Sequence, residues 1–284
     1  MEPVEEWAFA RPSAALRGHV TGYHGYRQAG LPPARHRGLP SPQLTLILTL
    51  DEPVTVALHP DAGQAGGSYA TLLGGLHTRP ALITHDGAQS GVQVGLSPLA
   101  ARRLLGVPAG ELASLDVPAD AVLGPLVEDA RQQMLAARTW PGRFAVLDRL
   151  LTARLGAGPD DAAPGAAVAA WRLLLRAGGR VGIRELARET GWSERHLSEV
   201  MGRETGLTPK QAARVIRFDR TRRLLQARPE VRLADLAVGC GYADESHLDR
   251  EFRALAGVPP RRWLAEELRN VQVPPAEHLA VSTA

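Results

Sequence analysis

The sequence predicts an α+β protein of two domains: a β-rich domain followed by helices, then a C-terminal domain that is all α-helix. Three observations predict it. Short runs alternate apolar and polar residues up to about residue 96, and the period becomes that of amphipathic helices from residue 97. The stretch beyond residue 167 then repeats itself at an offset of about 50 residues.

The strand reading starts from residues 43–50. Leu44, Leu46, Leu48 and Leu50 fall on one face there, and Thr45, Ile47 and Thr49 on the other. Residues 54–58, 69–73, 81–85 and 91–96 are further short runs of strand type. Pro and Gly clusters at 30–33, 40–42, 63–67 and 74–75 separate them. Many short strands at this spacing predict a small barrel or sandwich.

Ser97 followed by Pro98 reads as an N-cap with proline at the first helical position, opening a helix through Leu105. Residues 122–138 place Leu123, Val127, Ala130 and Met134 on one stripe with Leu126 beside it, and residues 144–155 do the same with Phe144, Leu147, Leu151 and Leu155. Such stripes bury against their own domain or form a dimer seam, and the pattern leaves both open. The breaker-rich stretch at 156–165, Gly-Ala-Gly-Pro-Asp-Asp-Ala-Ala-Pro-Gly, marks the domain boundary. The expected division is a domain over 1–155, a linker over 156–166, a second domain over 167–270 and a loosely ordered tail over 271–284.

No apolar run approaches the ~18 residues that span a bilayer. Glu2, Glu5 and Glu6 carry the wrong charge for a secretory leader, so the expectation is a cytoplasmic protein that does not enter a membrane. Cys240 is the single cysteine, which excludes an internal disulfide and a cysteine-rich zinc site. Set between Gly239 and Gly241, it reads as a small buried hydrophobe. The net charge of +3 is unevenly spread: residues 172–223 hold 13 basic residues against 6 acidic ones, all arginine except Lys210. That excess is the footprint expected where phosphates are neutralised, although a solvated helix face would carry it too.

The internal duplication decides between them. The first copy runs over 183–201 and is followed by Gly206-Leu-Thr-Pro209; the second runs over 233–252 and is followed by Gly257-Val-Pro-Pro260. Ala187 and Ala237 are small where two helices cross closely, and Gly191 and Gly241 follow by four residues, where the chain leaves the first helix. Trp192 and Tyr242 plug the corner, Ser193 and Asp244 are N-caps for the next helix, and Leu197, Val200, Met201, Leu248 and Phe252 pack it back. Each copy is therefore a helix-turn-helix unit, in which the second helix enters the major groove of double-stranded DNA. The second turn is longer by one residue. Between the copies, Thr208-Pro209 starts a long helix to about Gln226, with Ala212, Val215, Ile216, Leu224 and Leu225 as its apolar positions.

On Gly191-Trp-Ser-x-x-His-Leu197, Gly206-Leu-Thr-Pro209, Gly241-Tyr-x-Asp-x-Ser-His-Leu-x-Arg-x-Phe252 and the Gly257-x-x-Pro260 that follows, residues ~165–268 resemble the DNA-binding domain of the AraC/XylS family of transcription regulators. The resemblance implies seven helices, two recognition helices in successive major grooves, and promoter activation through contact with RNA polymerase. It places base contacts at Arg195, Ser198 and Glu199, and at Arg250 in the second unit. The residues not needed for packing extend the set to Glu194, His196 and Arg203 on the first recognition helix and to Glu245, Ser246, His247 and Asp249 on the second. Arginine can hold guanine by two hydrogen bonds, and Glu199 can accept from a cytosine amino group or pair with Arg203. Arg180, Arg184 and Lys210 are expected on phosphates.

In this family the N-terminal domain often senses a small molecule in a cupin-like barrel and often forms a homodimer. The alternative is an N-terminal domain that only dimerises or contacts protein partners, without a small ligand. His19, His24, His36, His59, His77 and His85 show no His-x-His pair of the kind a metal-binding cupin uses, so no metal, cofactor or enzymatic activity is expected. Tyr23, Tyr26, Arg27, His36, His77 and Arg79 lie near the strands and are the candidate ligand contacts.

Overall fold

The computed structural model describes residues 3–157 and 162–267, so the expected tail and part of the expected linker lie outside the described residues. Among the described residues ten strands make two antiparallel sheets: β1 (Val4–Ala10), β2 (Val20–Ala29), β3 (Ala34–Gly38), β4 (Leu44–Thr49), β5 (Val54–Leu58), β6 (Gly67–Tyr69), β7 (Thr71–Gly74), β8 (Ala81–His85), β9 (Gln89–Leu96) and β10 (Asp116–Pro118). The larger sheet has the order β1-β2-β9-β4-β7-β10 and the smaller β3-β8-β5-β6. Among the described residues no ladder joins them, so the domain is a pair of facing sheets rather than one closed barrel.

β4 sits inside the larger sheet, with Leu46 opposite Val94 on one side and Leu73 on the other. Its predicted alternation holds, but both faces are covered. Leu44, Leu46 and Leu48 join a core with Leu104, Met134 and Leu147 on the helices, while Ile47 packs with Val56, Leu72 and Ala81 between the sheets. The second sheet covers the face that carries Ile47, so both sides of the strand are enclosed.

The helices of the first domain are α1 (Ala101–Leu105), α2 (Asp120–Leu123), α3 (Leu126–Ala136) and α4 (Trp140–Ala157). The helix expected over 122–138 is broken in two. Gly124 turns the chain at φ 74° and Pro125 cannot continue the preceding ladder, so Leu126 leaves the stripe and is 47% exposed. Ser97 makes no side-chain cap either: its carbonyl accepts from Ala100 N–H at 3.0 Å and opens a 3-10 turn over Pro98–Ala100 instead.

Among the described residues seven helices form the second domain: α5 (Gly165–Arg176), α6 (Ile183–Thr190), α7 (Glu194–Thr205), α8 (Pro209–Ala227), α9 (Leu233–Cys240), α10 (Glu245–Ala256) and α11 (Pro260–Glu267). Cys240 is buried, as is Phe218 on α8, which the apolar pattern of that helix had not singled out. Buried side chains of both domains belong to one connected cluster. Among the described residues no helix is long and apolar enough to cross a membrane.

Candidate nucleic-acid interface and the adjoining cavity

Both helix pairs close in the same way. Gly191 and Gly241 take the left-handed conformation at φ 72° and 83°, which L side chains adopt only under strain. Behind them Trp192 N–H reaches Ala187 C=O at 3.1 Å and Tyr242 N–H reaches Ala237 C=O at 2.9 Å. Ser193 Oγ then accepts from His196 N–H at 3.2 Å, and Asp244 Oδ1 from His247 N–H at 2.7 Å, capping α7 and α10. Leu197, Val200 and Met201 on α7, and Leu248 and Phe252 on α10, are buried, which turns the opposite faces of both helices outward.

α8 fixes one unit against the other. Its capping box at Thr208 and Gln211 sets its start, and Phe218 meets Phe252 with ring centroids 4.9 Å apart. Arg214 and Arg217 both bind Glu251 of α10, at 2.6 and 3.2 Å, and Arg217 also lies over the Tyr242 ring. Arg222 and Arg223 both pair with Asp219, at 2.6 and 2.9 Å. Much of the basic excess over 172–223 is therefore internal clamp.

What faces outward is a smaller set. On α7, Arg195 Nε donates to Glu199 Oε1 at 2.9 Å, and the bond holds the Glu199 carboxyl below its ordinary range. Glu199 does not pair with Arg203, whose guanidinium bonds instead to neighbouring Glu204 at 3.1 Å. Ser198 Oγ donates to the Glu194 carbonyl at 2.8 Å, while Arg184 lies 3.6 Å from the Glu194 carboxylate. On α10, Glu245 and Ser246 are exposed, Asp249 pairs with Arg253 at 2.7 Å, and His247 Nδ1 accepts from Ala243 N–H at 3.2 Å. Arg250 is exposed and has no acidic partner among the described residues. The Arg180 stem lies so close over Gly241 that a Cβ there would fall 2.6 Å from Arg180 Cγ, which ties the loop before α6 to the second turn. Lys210 is exposed in the first turn of α8.

The far end of α7 docks on the first domain. Glu204, 1% exposed, accepts from Arg102 Nε at 2.7 Å and from its Nη2 at 3.0 Å. Gly110 lies so close to the Arg203 carbonyl that an added Cβ would stand 2.2 Å from that oxygen. A second bridge joins Arg37 of β3 to Glu266 of α11.

A cavity of about 1050 Å³ lies between the sheets and reaches the second domain. Its lining includes Ile47, Val54, Val56 and Leu72, and also Arg222, Arg223 and Gln226 of α8 with Trp263 and Glu267 of α11. Of the candidate ligand residues, Tyr26, His36 and His77 line it. Burial pushes His36 down to about 3 and also lowers His77. Tyr23 borders the cavity, but its hydroxyl donates to Asp148 at 2.9 Å and its ring stacks on Phe144, on the helix side. Arg27 and Arg79 are not part of the lining: Arg27 stands 3.5 Å from Glu6, and the Arg79 carbonyl meets the His77 ring. His24, Gln93 and Asp116 line the cavity too, and no local pattern announces a wall built by α8 and α11, which are more than a hundred residues away. Among the described residues no three His, Cys, Asp or Glu side chains come together to hold a metal ion.

Two family models match the chain: a helix-turn-helix domain over residues 186–266 and a domain of unknown function (DUF6597) over residues 9–118. The Bacillus subtilis (strain 168) protein described as an uncharacterized HTH-type transcriptional regulator, YbfI, is 34% identical over 68 residues. That stretch is 24% of this chain and 24% of the relative, so the chain matches about a quarter of the curated relative's length. In fold, the chain is similar to ToxT from Vibrio cholerae, with a TM-score of 0.52 at 12% identity over 86% of this chain and 97% of that one. A ToxT structure described as bound to an unsaturated fatty acid gives 0.53 at 10% identity, covering 85% and 94%.

Proposed function

We propose that the chain, whose residues 186–266 match a helix-turn-helix domain model, is a sequence-specific transcription regulator of the AraC type which grips double-stranded DNA with α7 and α10 and answers to a small molecule between its sheets. The observation that carries the DNA reading is the pair of turns closed by the same left-handed glycine and side-chain cap, the second one residue longer, with the outer faces of α7 and α10 turned outward and α8 clamping one to the other. Arg195, Ser198, Glu199 and Arg203 on α7, with Glu245, Ser246, His247 and Arg250 on α10, are the proposed base-reading set; Arg180, Arg184 and Lys210 are proposed on phosphates. Arg203 is the least free of them, being next to the docked Glu204.

The cavity supports ligand control because part of its wall belongs to α8 and α11, so a bound molecule would touch both domains. Tyr26, His36 and His77 are the proposed ligand contacts among the candidates. The domain division near 156–166, homodimerisation and contact with RNA polymerase come from the sequence reading and belong to the same proposal. Footprinting of the purified chain on the DNA upstream of its own gene tests the reading: two adjacent protected major-groove segments are expected, and no protection at low salt would contradict it.

A further inference from the structure

We propose that the end of the cavity between β3, α8 and α11 is a head-group site for a ligand carrying a carbonyl-type acceptor beside a hydroxyl or amide donor, as in a 2-hydroxycarboxylate or a carboxamide. The inference rests on the reading that the cavity takes a small molecule, and it names the chemistry of that molecule.

Seven buried side-chain polar atoms lack a hydrogen-bond partner among the described residues, and four of them belong to residues that line this cavity: His36 Nδ1, Arg222 Nε, Gln226 Oε1 and Trp263 Nε1. Folded proteins rarely leave such atoms unpaired, because each loses its hydration without recompense. His36 is 6% and Trp263 1% exposed, so neither reaches bulk solvent by a small rotation. The Glu267 carboxyl lies near the Trp263 indole without reaching hydrogen-bond geometry, and burial pushes it up to about 7.

The senses of these groups define the ligand. An indole N–H and a guanidinium N–H only donate, so Trp263 and Arg222 ask for acceptors. As oriented, Gln226 leaves its Oε1 unpaired, and that oxygen asks for a donor. A plain carboxylate satisfies the first pair but pairs with Gln226 only after the amide turns over to present its NH2, whereas a head that also carries a donor pairs with all three groups as they stand. Arg222 and Arg223 already share Asp219, so the site offers no large excess of positive charge to draw a simple anion. The body of the ligand would lie along Ile47, Val54, Val56 and Leu72.

Isothermal titration of the full chain with octanoate, 2-hydroxyoctanoate and octanamide tests this, since the three share one apolar body. The two mixed heads should bind about tenfold tighter than octanoate, the worth of one buried hydrogen bond. Gln226→Leu should erase that ratio, and Trp263→Phe should weaken both mixed ligands about tenfold. Gln226 is only half-buried, so its variant remains informative if Trp263→Phe fails to fold. Equal binding of all three, binding of none, or a ratio that survives Gln226→Leu would overturn the head-group assignment. Thr45→Phe, which fills the cavity body, separates the two readings. If it leaves all binding unchanged, the cavity itself is not the ligand site; if it abolishes binding while Gln226→Leu changes nothing, only the head-group assignment falls.

Discussion

If Arg195 is the base contact proposed above, it must release Glu199, its partner at 2.9 Å on the exposed face of α7, to reach DNA. A surface pair one helical turn apart is worth only a few tenths of a kcal/mol, so a guanine that offers two acceptors can win the guanidinium. Arg195→Ala should therefore cost ~1–3 kcal/mol of operator affinity. Arg250→Ala should cost less, because α10 sits in a stretch where acidic residues outnumber basic ones: residues 226–284 hold 9 acidic against 7 basic. Fluorescence anisotropy on the native operator measures both, and equal losses would refute the ranking. His36 gives a second test at this scale. Burial holds its ring down at about 3, whereas the unfolded chain protonates it near its ordinary value of 6.5. Below 6.5 the unfolded state therefore binds the extra proton, and stability falls as the pH drops from 6.5 toward 3, with a slope approaching ~1.4 kcal/mol per pH unit. Denaturant melts of the His36→Phe variant should show a flatter profile over that window. The partner of Glu199 was not legible in the sequence, because Arg195 and Arg203 both lie four residues away. The structure settles it by giving Arg203 to its neighbour Glu204.

Among the elements, helix starts were the most legible feature, since a cap is written in one or two residues. Ser193, Asp244 and Thr208 cap their helices, whereas Ser97 makes no side-chain cap. Thr208→Ala should lower stability by ~1 kcal/mol, read as a shifted denaturation midpoint at unchanged slope. The strands missed were those whose patterns serve something other than a plain apolar face. β2 alternates tyrosine and histidine with glycines, and Gly25 is small because Trp140 of α4 lies on it: a Cβ there would sit 2.4 Å from the indole ring. Gly25→Ala should destabilise by ~1–3 kcal/mol through overpacking, and Trp140→Leu should recover part of the loss in a double-mutant cycle. The break at Gly124-Pro125 was present in the residues, but the apolar stripe running across it outweighed it in the reading.

At the scale of the molecule, the duplication made the second domain legible, while the contact between domains was not. Nothing in the spacing of Arg102 and Glu204 announces that they meet, because the pairing exists only once α7 is laid against the first domain. Arg102→Ala leaves the buried Glu204 carboxylate with only the more exposed Arg203, and should cost ~3 kcal/mol or more. Hydrogen exchange should then quicken in the last turn of α7. The claim on which the rest depends is that α7 and α10 hold DNA, and its most direct test is the salt dependence of binding. Between 50 and 200 mM salt, affinity of the full chain for the DNA upstream of its own gene should fall about a hundredfold or more, as several phosphates are neutralised. An affinity that stays flat across that range would contradict the account.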